Sequence, residues 1–199
     1  MAARVAVAII TSATCMRAVG AQPPAVSAAV GFVAGLTAHE SGHVTVALGF
    51  RARPHMRGVD FHGIPFFAVA HTSGLPRRRE FIVSSAGFWA QHATSEAILT
   101  AHPALWRDGH WFETGFVAFG IATSATYAGA AWARVGPAER DTRSMAATLG
   151  VTEPVIGTLV LLPALLDGYR AWRPGSRRTA WVSRAVKVGF MLLPIAAAP

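Results

Sequence analysis

His39 and His43 stand four residues apart in Thr37-Ala38-His39-Glu40-Ser41-Gly42-His43. On a helix, residues four apart share a face, so two imidazoles can meet one metal ion. Glu40 follows His39 and can reach a water bound to that ion. Two ligands with a general base between them is the HExxH arrangement of metal-assisted hydrolysis, with zinc as the expected metal. The trio lies inside the apolar run Ala25 to Phe50. Each ionisable group placed mid-membrane costs about 2.5–3.5 kcal/mol on insertion scales, and a bound cation would offset that by charge and coordination. The plainer alternative ends the run near Ala38 and leaves the trio at a wet interface; Val44 to Phe50 resumes the apolar pattern and opposes it.

Zinc used in hydrolysis takes three protein ligands and keeps a fourth position for water. A third ligand is therefore needed, and carboxylates are few. Asp167 is the acidic residue inside a later apolar run, in Leu161-Leu162-Pro163-Ala164-Leu165-Leu166-Asp167-Gly168. Pro163 and Gly168 would loosen the helix around it, so that an unwound turn could aim the carboxylate at the metal. The alternative is that Asp167 merely terminates a helix. Glu96 and His92 are rival ligands.

The elements that must carry these residues are apolar. Hydrophobic residues make up 52% of the 199-residue chain and charged residues 14%, against about a quarter charged in an average soluble domain. Mean hydropathy is +0.38. One domain covers residues 1–199. Runs at Ala25–Phe50, Phe81–Ala101, Trp111–Ala133, Pro154–Tyr169 and Val186–Ala198 predict an all-α, polytopic membrane helix bundle of five or six segments. An initial run, Val5–Met16, makes residues 1–21 a signal peptide or a short first anchor helix. Ala118, Ala122, Thr126 and Ala130 form a small-residue stripe that would let another helix approach. The lone Cys15 excludes a disulfide framework within the chain and a zinc site of several thiolates. A formal charge of +8 suits nucleic acid by itself, but the arginines sit between apolar runs, as in basic loops of a membrane protein. The bilayer is therefore the expected partner, with no nucleic acid, and the expected place is the cell membrane, multi-pass.

Between the second and third runs, residues 51–80 carry Arg51, Arg53, Arg57, Arg77, Arg78 and Arg79 and should face the cytoplasm. Their middle, Val59 to Val69, reads as a short β-hairpin or edge strand, or as a plain interfacial loop. If every run crosses, a second basic segment from Arg170 to Lys187 lands on the opposite side, which the positive-inside rule disfavours. One run is therefore expected to cross only in part. Asp141, Arg143 and Glu139 read as a solvated mixed-charge loop. Trp106, Trp111, Trp172 and Trp181 flank apolar runs as interface anchors.

His39-Glu40-Ser41-Gly42-His43 with Ala47 resembles the HExGHxxxA signature of site-2 proteases, the intramembrane zinc metalloproteases. Leu166-Asp167-Gly168 after Pro163 is similar to the family's second motif, NxxPxPxLDG. Ala86-Gly87-Phe88-Trp89-Ala90-Gln91 resembles its AGPxxN. The motif's opening Asn has no counterpart here, and Phe88 and Gln91 stand for Pro and Asn, so the likeness is to a divergent member. It implies zinc on His39, His43 and Asp167, Glu40 as the base, and Gly87 and Gln91 against the substrate. The implied activity is hydrolysis of a peptide bond in or near a transmembrane helix of another membrane protein. An edge strand at Val59–Val69 would capture the unwound segment. Two competing classes are a catalytically silent relative that binds membrane partners and a non-enzymatic metal-binding membrane protein.

Overall fold

The computed structural model describes residues 23–61, 64–72 and 74–196; the expectations for residues 1–21 fall outside them. Among the described residues six helices and one hairpin follow in order: α1 (Pro24–Gly49), β1 (His55–Phe61), β2 (Ile64–Ala70), α2 (Arg77–Ala101), α3 (Trp111–Ala133), α4 (Asp141–Leu149), α5 (Glu153–Trp172) and α6 (Arg177–Ala196). The molecule is mostly helical, with one two-stranded antiparallel sheet. Pro24 sits in the first turn of α1 and Pro154 in that of α5, where the missing N–H costs nothing. Gly150 ends α4 in the left-handed conformation at φ 69°. The hairpin pairs His55 with Ala70 through to Phe61 with Ile64.

The long helices alternate in direction. Gln91 of α2 meets Gly120 and Ser124 of α3, and Ser95 lies by Gly120, so α2 and α3 are antiparallel. Trp132 reaches Pro154 and Thr158 while Ile121 lies by Gly168, so α3 and α5 are antiparallel too. Helix α1 runs beside α3 at close range. A Cβ on Gly31 would strike the Phe112 carbonyl, and one on Gly115 the Ala28 carbonyl. Small residues let the two backbones touch there. The stripe read from the sequence is not this contact: Ala118, Ala122 and Thr126 point outward, and α3 packs through Gly115, Phe119, Gly120, Ser124 and Ala128.

The main core gathers around α2, where Phe81 and Phe88 meet Met145 of α4, Ile156 and Val160 of α5, and Phe190 of α6. At one end Ala47, Ala52 and Val83 close the hairpin onto the bundle; at the other Leu99, Leu105, Val117 and Ala171 cluster. The two basic segments therefore lie at opposite ends. Helix α5 is unbroken through Pro163 and Gly168, and its 20 residues rise about 30 Å. The expected unwound turn before Asp167 is absent, and this run does not stop short. Pro163 removes one hydrogen bond, and the packed neighbours hold the helix through it. Helices α3 and α5 are long and apolar enough to cross a bilayer. Outward faces carry many large apolar side chains, among them Val33, Leu165, Val182, Leu192 and Ile195, each more than half exposed.

Candidate metal centre

Helix α1 buries one stripe, Gly31, Gly35, His39, His43 and Ala47, against its neighbours. This four-residue period puts both imidazoles inside, 2% and 5% exposed. Their tautomers are set by what holds the outer nitrogens. Gln91 of α2 donates its amide N–H groups to the Gly120 carbonyl (3.3 Å) and to Ser124 Oγ (2.9 Å). Its Oε1 therefore accepts from His39 Nδ1 at 2.9 Å. His43 Nδ1 donates to the Val83 carbonyl at 2.8 Å. With both Nδ1 atoms protonated, each neutral ring turns an Nε2 lone pair inward, and the two Nε2 atoms are 3.2 Å apart.

The carboxylate beside them belongs to Asp141. Its Oδ2 is 3.4 Å from His43 Nε2 and 3.7 Å from His39 Nε2. Two lone pairs and a carboxylate crowded together repel unless a proton or a metal ion lies among them. Ligands about 2.0–2.1 Å from a tetrahedral zinc stand about 3.3–3.4 Å from one another, close to the 3.2 and 3.4 Å separations here and shorter than the 3.7 Å between His39 and Asp141. A glycine makes the room. A Cβ on Gly87 would stand 2.5 Å from His39 Nε2 and closer still to that of His43.

Helix α4 delivers Asp141 through a polar brace. The Arg140 guanidinium grips Glu153 at 2.6 and 2.7 Å and bonds the carbonyls of Gly136 and Pro137. Thr142 donates to Glu153 at 2.7 Å. Ser144 accepts from Ser84 and donates to Glu80, while Met145 is fully buried in the core. Reading Asp141, Arg143 and Glu139 as solvated loop is thus corrected at Asp141, the first residue of the amphipathic α4, which points into the bundle; Glu139 lies in an exposed turn and Arg143 is exposed.

Asp167 is not at this site. It is 2% exposed, with Oδ1 2.6 Å from Lys187 Nζ and 3.2 Å from Ser183 Oγ. Lys187 also meets Glu96 at 2.9 Å, and Glu96 binds Arg170 and Arg184. Glu96 is nine residues beyond Gly87 on α2, about 13 Å along the axis. The rival ligand Glu96 is therefore committed to this charge network. His92 is buried with its Nε2 unpartnered, against the Phe190 ring, and is not among the ligand atoms that gather with His39 and His43. Gln91 is fully buried with its amide donors already used, so it orients His39 and offers nothing to a substrate. Gly87 does lie at the site, as room beside the imidazoles.

One groove approaches the centre. Its volume is about 610 Å³, and Val59, Phe67 and Ala68 of the hairpin face Ala125, Tyr127 and Ala130 of α3 across it. The Tyr127 ring packs beside His39 with centroids 6.3 Å apart, and its hydroxyl faces Asp141. Arg57 of β1 pairs with Glu139 at 3.5 Å at its rim. Compared with known family models, curated proteins and solved structures, the chain matches none.

Proposed function

We propose that this chain is a membrane-embedded zinc metallopeptidase that hydrolyses a peptide bond in or near a transmembrane helix of another protein. The observation that carries the reading is the pair of inward Nε2 lone pairs facing Asp141, with both outer nitrogens held by fixed acceptors. His39, His43 and Asp141 would hold the metal, a three-ligand N,N,O set that leaves one position open. When bound, zinc polarises a carbonyl and lowers the pKa of its water to about 7. Glu40, next to His39 on α1, would serve as the base that takes the proton from the attacking water and returns it to the leaving amine. The groove along Val59, Phe67 and Tyr127 suits an extended segment, and the hairpin offers an unpaired edge to it. A helical substrate unwinds to enter, because its peptide carbonyls are otherwise internally bonded.

Apolar outward faces on α1, α5 and α6 support residence in the bilayer, with several helices crossing the cell membrane. The likeness of His39-Glu40-Ser41-Gly42-His43 to the site-2 protease signature supports the activity class. The replacement of Asp167 by Asp141 makes the chain a divergent case of it.

The test is cleavage of labelled single-span reporter helices by the protein reconstituted in liposomes, beside the Glu40→Gln variant. Loss of cleavage with zinc retained is expected. Equal cleavage by the variant removes the protease assignment. Zinc binding without cleavage of any reporter by the parent chain leaves a non-enzymatic metal protein.

A further inference from the structure

We infer a second divalent-metal site, of the zinc class, at the other end of the bundle, formed by His102, His110 and Glu113. Their ligand atoms all lie within 4.8 Å of one another. The two rings are in near face contact, with centroids 3.9 Å apart and planes 38° apart. No side-chain hydrogen bond or ion pair among the described residues engages either ring or the Glu113 carboxylate.

The loop that presents them is folded rather than loose. Leu105 is fully buried against Leu99, Val117 and Ala171. The His110 N–H donates to the Leu105 carbonyl at 3.0 Å, and Arg107 and Asp108 both donate to Ala104. His102 caps the carbonyl end of α2, and His110 starts α3 with Glu113 in its first turn. The carbonyl end of α2 favours a cation and the amide end of α3 opposes it, and the Glu113 carboxylate tips the balance toward binding. Two imidazoles and a carboxylate select zinc or a similar first-row ion over magnesium or calcium. His102 is fifteen residues beyond Gly87 on α2, about 22 Å away along the axis. The two centres therefore share no ligand, and this one does not rest on the proteolytic reading. Its ion would staple the end of α2 to the start of α3.

The full chain in detergent is stripped with chelator, reloaded with zinc alone and passed through gel filtration before metal analysis. Two equivalents are expected for the parent chain, one for His102→Ala/His110→Ala and one for His39→Ala/His43→Ala. Glu113→Gln should hold the second ion more weakly than the parent. An unchanged count after His102→Ala/His110→Ala overturns the site, as does a parent chain that holds one equivalent and loses it with His39→Ala/His43→Ala. Circular dichroism of each variant separates lost metal from lost fold; if the His39→Ala/His43→Ala chain unfolds, the parent and His102→Ala/His110→Ala counts decide alone.

Discussion

Gln91 holds His39 from behind: its amide oxygen accepts the Nδ1 proton at 2.9 Å while Ser124 and Gly120 accept from its nitrogen. That bond spans three helices and fixes both the tautomer and the ring plane. Partners of this kind are worth about 10–100-fold in metal affinity. Gln91→Leu should therefore weaken zinc binding by about that factor without touching the ion. Competition against a chelator of known affinity measures it. Undiminished affinity would mean that packing against Phe88 and Phe119 alone sets the ring.

Asp141 and Asp167 should respond oppositely to substitution. Asp141→Ala removes the carboxylate beside both Nε2 atoms, so zinc content should collapse while the apo protein melts nearly as before. Asp167→Asn should keep zinc but lower stability. It strips buried Lys187 of its closest counter-charge, and breaking a buried pair costs about 3–5 kcal/mol. A double change, Asp167→Leu with Lys187→Met, should recover much of that loss. Metal analysis and thermal melts of the three variants decide. Zinc lost from Asp167→Asn at an unchanged melting point would return that carboxylate to the metal.

Gly87→Ala is a steric test of the same centre. The added methyl would occupy the space at both Nε2 atoms, so zinc should be lost although no ligand is altered. Gly189→Ala on α6 meets nothing within 4 Å. It should bind metal normally and gain about 0.5–1 kcal/mol of helix stability. Equal zinc content in the two variants would show that the ion does not sit where the imidazoles converge.

That His39 and His43 share one helix face was legible before any fold was known. Helical periodicity alone brings two imidazoles to one face, whatever surrounds them. The long apolar runs likewise predicted long helices, while the aromatic, β-branched stretch from Val59 to Val69 left a hairpin and a plain loop both open. The third carboxylate was not legible. Its position depends on how α4 docks against α2 and α5 through Arg140, Glu153 and Ser144, and no spacing in the chain encodes that docking. Asp167 looked the better ligand because it is an acid inside an apolar run; the sequence does not reveal that Lys187 arrives from α6 to neutralise it. Local period determined which side chains share a face. Tertiary packing decided which of two acids meets the histidines, because a buried carboxylate goes where a counter-charge awaits it.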